Sequence, residues 1–112
     1  MKKIEAVIRP DKLDDVLSRL GDLSYPGVTI SEVRGHGKQK GVKHMWRGTE
    51  YTVTYLPKIK IEVVVLDEDE GRVTDAIVVA ARTGAIGDGK VFISDVKDAI
   101  RVRTGEAGDK AI

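Results

Sequence analysis

Lys58-Ile59-Lys60-Ile61-Glu62-Val63-Val64-Val65-Leu66 decides the fold. Ile59, Ile61, Val63 and Val65 fall on one side of an extended chain, and Lys58, Lys60, Glu62 and Val64 on the other, which predicts a strand buried on one face. The residues after it change period. Asp67 to Asp69 offer a capped helix start, Val73, Ile77, Ala80 and Ala81 supply a helical inner face, and the pattern ends before Gly84. A further strand is predicted over residues 91–96. Toward the N-terminus the same order repeats. Residues 2–9 alternate with Ile4, Ala6 and Ile8 on one face until Pro10 stops the run. Residues 11–23 place Leu13, Val16, Leu17 and Leu20 at helical spacing, with Asp11 as N-cap and Gly21 near the end. Tyr25-Pro26-Gly27 reads as a turn and residues 28–34, rich in β-branched side chains, as a strand.

The order strand, helix, strand, long connection, strand, helix, strand fits an α+β fold: a ferredoxin-like βαββαβ sheet of four strands with both helices on one face. The 112 residues suit one domain, 1–112, with a single core. Charged residues make up 33% and hydrophobic ones 41%, and the net charge is +1, which argues against disorder and against bulk nucleic-acid binding. With no cysteine there is no disulfide, thiolate metal site or cysteine nucleophile, and a reducing cytoplasm is the expected location. No apolar run reaches the length of a membrane span. The strands lack an aromatic pair for stacking bases, so an RNA-binding use of the fold is disfavoured.

The stretch between the second and third predicted strands is far longer than a hairpin requires. Residues 37–57 carry Lys38, Lys40, Lys43 and Arg47 together with Gly41 and Gly48, and are expected to be a polar, flexible contact loop. Trp46 and Arg47 combine residue types that dominate interface hot spots.

Two other segments carry candidate chemistry. Gly84-Ala-Ile-Gly-Asp-Gly-Lys90 has the spacing of a phosphate-binding Walker loop, but Val91 replaces the hydroxyl residue and a strand follows instead of a helix. A P-loop NTPase is therefore rejected. Glycine backbone N–H groups and Lys90 still suit an anion, and a plain turn between helix and strand explains the segment equally well. Arg101 and Arg103, two apart on a segment read as extended over residues 100–103, would point to one side and clamp a phosphate; a charged edge strand is the alternative. His36 and His44 have no carboxylate at ligand spacing, and no base-nucleophile grouping stands out.

Several of these residues, taken in order, resemble the PII nitrogen-regulatory signal-transduction proteins. The resemblance runs the whole length of the chain. It rests on Gly37-Lys-Gln39-Lys-Gly41, Arg47-Gly-Thr-Glu-Tyr51, Leu56-Pro-Lys58, Thr83-Gly-Ala-Ile-Gly-Asp-Gly-Lys90 and Arg101-Val-Arg-Thr-Gly105. Trp46 stands where the family's loop usually has tyrosine, and Thr49 where a small residue is usual.

The resemblance implies a homotrimer that binds ATP or ADP between subunits and 2-oxoglutarate beside MgATP. Its expected nucleotide residues are Thr29, Gly37, Lys38, Gln39, Glu62, Val64, Gly87, Asp88, Gly89, Lys90, Arg101 and Arg103. Thr29, Glu62 and Val64 would lie near the adenine, and Lys90, Arg101 and Arg103 would neutralise the phosphates. For 2-oxoglutarate the expected residues are Gln39, Lys58 and Gly87, with Gln39 completing the shell of the Mg2+ carried by ATP. The implied activity is regulatory and not enzymatic: nitrogen-status signalling through the long loop, with Trp46 and Arg47 as partner contacts. An ammonium channel is the leading partner, which would recruit the cytoplasmic protein to a membrane without inserting it. Glutamine synthetase or a nucleotidyltransferase are further partners. Tyr51 matches a tyrosine nucleotidylylated in some lineages, and Thr49 carries a hydroxyl where some relatives have a phosphorylated serine. The competing reading is a small phosphate-transfer or hydrolase enzyme on the same fold, disfavoured by the missing Walker hydroxyl.

Overall fold

The computed structural model describes the backbone of residues 1–36, 42–46, 49–53 and 55–112, and the side chains of residues 1–36 and 55–112. Strand β1 (Lys2–Ile8) is followed by a 3-10 turn at Pro10–Lys12 and helix α1 (Leu13–Asp22). Then come β2 (Thr29–Gly35), β3 (Val42–Trp46), β4 (Thr49–Val53) and β5 (Leu56–Val65). Helix α2 (Glu70–Ala81) and β6 (Gly89–Asp95) complete the ferredoxin-like α+β arrangement.

The main sheet has the order β2-β5-β1-β6, and each neighbouring pair is antiparallel. Residues opposite one another in such a pair share a face. Ile4 therefore joins Val63 and Ile93, and Ala6 joins Ile61 and Val91, on the side that the helices cover. Val16 and Leu20 from α1 and Val73, Ile77 and Ala81 from α2 close the core over it. Ile4, Val16, Leu20, Ile61, Val65, Val73 and Ile77 are fully buried, each contributing up to about 1.5–3 kcal/mol by leaving water. Leu13 and Ala80 pack at the margin of this core. Leu17 is only half-buried, at the edge of the α1 stripe.

The helix starts differ from the sequence reading. Asp11 sits inside the 3-10 turn, and neither α1 nor α2 has a side-chain cap hydrogen bond. Asp67 and Asp69 are engaged elsewhere. Asp67 takes the N-terminal ammonium of Met1 at 2.8 Å, while Asp69 accepts from the Tyr25 hydroxyl and from Arg72. Tyr25 in turn accepts the backbone N–H of Leu66, so one phenol ties the exit of α1 to the exit of β5. After α1 the reversal falls on Ser24, with φ of 67°, and not on Gly21, which lies within the helix.

Two expectations need correction. The stretch expected to be a polar, flexible contact loop over residues 37–57, with no predicted strand of its own, contains β3 and β4, paired from Val42 opposite Val53 to Trp46 opposite Thr49. Val42, Thr49, Tyr51, Thr52 and Val53 are strong strand formers, and they outweigh the lysines and glycines on which the loop reading rested. The second concerns residues 100–103, which are not an extended clamp. Ile100 bridges Ala107, and between them Val102 to Thr104 form a turn, with the Gly105 N–H donating to Arg101 O at 2.8 Å. Thr104-Gly105 supplies the turn chemistry, Gly105 having φ of 74°.

The sheet face opposite the helices is mixed in character. Lys3 meets Glu62 at 3.4 Å and Lys60 meets Glu5 at 3.7 Å, beside Val7, Val33, Val64 and Phe92.

Candidate functional site

The connection from α2 to β6 is held from inside by one carboxylate. Asp88 accepts the backbone N–H groups of Thr83 and Gly84, each at 2.8 Å, and the Thr83 hydroxyl. Arg9, just past the end of β1, adds its Nε at 3.0 Å and donates Nη2 to the Ile86 carbonyl at 2.9 Å. The Thr83 hydroxyl and N–H, with Arg9 and the Gly84 N–H, hold the Asp88 carboxyl well below the usual carboxylate range.

Glycine is needed here for two distinct reasons. Gly84, Gly87 and Gly89 have φ of 91°, 103° and 103°, which side chains other than hydrogen resist. Gly89 also pairs with Ile8 at the end of β1, where a Cβ would stand 1.7 Å from the Val7 carbonyl oxygen.

Lys58 reaches the same loop from β5, donating to the Gly87 carbonyl at 2.7 Å. Burial and the nearby Arg9 charge lower its pKa, and Asp88 partly offsets them. Lys90, on β6 opposite Val7, is exposed. Lys58, Lys90, His36, Gly87 and Gly89 line a cavity of about 530 Å³ with Phe92 at its apolar side. Among the described residues its carboxylate is Asp88, already hydrogen-bonded and ion-paired, an arrangement whose chemistry suits an anion.

Thr29, Glu62 and Val64 line a second cavity of about 550 Å³ with Tyr25, Pro26 and Ile112. Thr29 lies opposite Glu62 in the β2–β5 register. Hydrogen bonding with Glu5 and Lys3 lowers the Glu62 pKa. Lys58 and Glu62 are four residues apart on one face of β5, a span of about 13 Å. The two cavities thus open at opposite ends of the same sheet face.

Arg101 and Arg103 line neither cavity. Arg101 donates to Glu106 Oε1 at 3.2 Å and to the Lys110 carbonyl at 3.1 Å, while Arg103 lies in the exposed turn. One chain therefore brings Lys58, Gly87, Gly89 and Lys90 together, and separately Thr29, Glu62 and Val64, but does not join the arginines to either group. Gly37, Lys38, Gln39 and Arg47 lie outside the described residues, and Trp46 and Tyr51 are described only as backbone in β3 and β4. Among the described residues no group of three or more His, Asp or Glu side chains is placed to hold a metal ion.

Sequence reasoning missed Arg9, and weighed His36 only as a metal ligand and not as a residue of this cavity wall. A signal for Arg9 was present: an aspartate within a Gly-Asp-Gly turn that folds back on the sheet needs a cationic or N–H partner, and Arg9 ends the neighbouring strand.

A four-stranded split βαβ sheet with both helices on one face and a glycine loop beside Lys58 and Lys90 defines a ferredoxin-like α+β domain. Comparison with known proteins places it further. The family profile of Nitrogen regulatory protein P-II matches residues 1–106. Proteins named Nitrogen regulatory protein P-II from Pasteurella multocida, Haemophilus influenzae and Rhizobium meliloti are 54%, 55% and 53% identical over 112 residues, covering all of both chains. The chain belongs to the P-II family of nitrogen regulatory proteins. It is a nitrogen-regulatory signal-transduction protein, and its relatives are named as regulators, not as enzymes.

Proposed function

We propose that the protein senses the ATP/ADP ratio and 2-oxoglutarate in a homotrimer and passes the result to target proteins through residues 37–57. The observation that carries this reading is the division of the expected ligand residues between two cavities on one sheet face, with Lys58 and Glu62 about 13 Å apart along β5 and both arginines outside them. A second copy of the chain is the economical way to complete such a site. The mixed sheet face without a helix, carrying Val7, Val33, Val64 and Phe92, is a surface on which copies can associate.

In that assembly Thr29, Glu62 and Val64 hold the adenine, and Lys90, Arg101 and Arg103 neutralise phosphates. The backbone of Gly87 to Gly89, with Gly37 and Lys38, lines the cleft. Lys58 takes the distal carboxylate of 2-oxoglutarate. Asp88 is committed to Arg9, Thr83 and Gly84, so a hard cation would take most of its oxygens from the ligands themselves. Mg2+ carried by ATP would take its protein oxygen from Gln39 and would polarise the bound oxygens. The output is proposed to reach an ammonium channel through Trp46 and Arg47, with glutamine synthetase or a nucleotidyltransferase acting at Tyr51 as other partners. The protein would act in the cytoplasm and meet the membrane only through such a channel.

Calorimetry with ATP, ADP and 2-oxoglutarate, with and without Mg2+, tests the reading, alongside sedimentation for the assembly state. Nucleotide binding by a trimer, and 2-oxoglutarate binding only with MgATP, are expected. A monomer that binds nucleotide equally well, or 2-oxoglutarate binding independent of MgATP, would sink it.

A further inference from the structure

His36 sits one residue past the end of β2, and Tyr55 one residue before β5, so their rings form the next cross-strand pair after Gly35 and Leu56. The ring centroids are 5.3 Å apart with an interplanar angle of 42°. His36 also stands in the wall of the cavity lined by Lys58, Gly87, Gly89 and Lys90. Imidazole is the one side chain whose ordinary charge change falls near neutral pH, and here it shares a cavity wall with Lys58 and Lys90.

We infer that His36 is a proton-linked anion contact, so that this cavity binds its dianion more tightly as the pH falls through the neutral range. The inference rests on the anion-binding reading of the cavity given above.

The charged surroundings set the sign. Lys58 from β5 and Lys90 from β6 share the cavity wall with His36, while Arg9, beyond β1, lies against Asp88. Asp88, the carboxylate in the described part of this wall, is already engaged by Arg9, Thr83 and Gly84. The tilted Tyr55 ring packs against the imidazole from the other side of the strand pair. A dianion bound in this cavity attracts a protonated imidazole in its wall. Linkage then requires the converse: protonating His36 strengthens anion binding. A dicarboxylate such as 2-oxoglutarate keeps both charges throughout this pH range, so the pH slope of its affinity reports on the protein.

The test measures 2-oxoglutarate affinity in the presence of MgATP from about pH 6 to about pH 8, for the wild type, His36→Gln and His36→Phe. The phenylalanine variant retains an aromatic ring opposite Tyr55, so a change common to both variants is not a packing effect. Wild-type affinity is expected to rise by about tenfold toward the acidic end, the scale of one charge-assisted contact, with both variants nearly flat. A nuclear magnetic resonance titration in a His44→Gln background, which leaves His36 as the only histidine, should show its midpoint moving up when the anion binds. An equal slope in wild type and variants, or a midpoint indifferent to the anion, overturns the inference while the anion site stands. Absence of 2-oxoglutarate binding at every pH overturns the anion reading and this inference together.

Discussion

The Lys58 ammonium donates to the Gly87 carbonyl at 2.7 Å, linking the start of the central strand β5 to the middle of the glycine loop. A carboxylate arriving in this cavity must compete with that carbonyl, and the exchange couples ligand binding to loop position. Lys58→Met is expected to lower 2-oxoglutarate affinity by about tenfold or more, because a charge-assisted contact is lost. ATP affinity should stay within about twofold of the wild type, below the weight of one such contact. The lowered pKa of Lys58 has a separate consequence. Its charge is lost at a lower pH than that of an ordinary lysine, so 2-oxoglutarate affinity should begin to fall sooner as the solution is made alkaline. Calorimetry across that alkaline range checks it, and Lys58→Met should lack the fall.

Asp88 supports the loop as an ionised group. Its pKa is depressed in the folded protein, so its contribution to stability is present above the ordinary value of 3.8 and is lost as the pH falls below it. Thermal melts at neutral and acidic pH should show the wild type losing this contribution. Asp88→Asn, which cannot ionise, should start less stable and lack that part of the acid dependence. Arg9→Ala should weaken nucleotide binding without abolishing the fold, since the Thr83 and Gly84 contacts to Asp88 survive.

The central strand, both helices and the sheet were legible because their apolar residues recur at periods of two or about 3.6. Ile59, Ile61, Val63 and Val65 lie in the core on the face where alternation places them. Patterns tied to no period were not legible. The β3–β4 hairpin sits among lysines and glycines, and Asp67 and Asp69 satisfy Met1, Tyr25 and Arg72 where local spacing suggested caps. The glycine loop and Lys90 stood out as an anion motif, whereas Arg9 joins that loop across 79 residues of sequence. No local window reports such a contact. Arg101 and Arg103 were paired by assuming an extended segment, and the turn at Val102 to Thr104 removes the geometric reason for the pairing.

Gly89→Ala and Gly84→Ala separate the two demands placed on glycine. At Gly84 a Cβ meets open space, so alanine should cost only the roughly 1–2 kcal/mol of left-handed strain. At Gly89 the same strain is joined by collision with the Val7 carbonyl, which cannot be relieved by a side-chain rotation. The expected loss exceeds the roughly 1–2 kcal/mol of left-handed strain alone, with hydrogen exchange rising at the Gly89 end of the β1–β6 ladder. Equal melting temperatures for the two variants would contradict the assignment.

The two arginines should behave differently on replacement. Arg101 holds Glu106 and the Lys110 carbonyl, so Arg101→Ala is expected to loosen residues 105–112 as well as weaken ATP binding. Arg103 lies in an exposed turn, and Arg103→Ala should lower ATP affinity by about tenfold with the melting temperature of the unliganded protein unchanged. Unaltered ATP titration of a folded Arg103→Ala protein would remove it from the proposed site.

Residues 37–57 join the end of β2 to β5, with Gln39 close after the first and Lys58 just beyond the stretch. Ligands that grip both should bias the segment between them, by no more than their differential affinity for its conformations. Trp46 is the only tryptophan, so its fluorescence reports on that segment directly. ADP and MgATP with 2-oxoglutarate are expected to give different emission. If Arg47 enters a channel mouth only when the segment is extended, ADP should favour the complex and MgATP with 2-oxoglutarate should release it. Arg47→Ala should abolish capture of the channel while leaving nucleotide affinity unchanged. Reciprocity then fixes a further quantity: the channel must weaken 2-oxoglutarate binding by the same factor by which 2-oxoglutarate weakens channel binding. A Trp46 signal indifferent to every ligand, with partner capture that ignores nucleotide state, would sink the switch even if ATP binds where proposed.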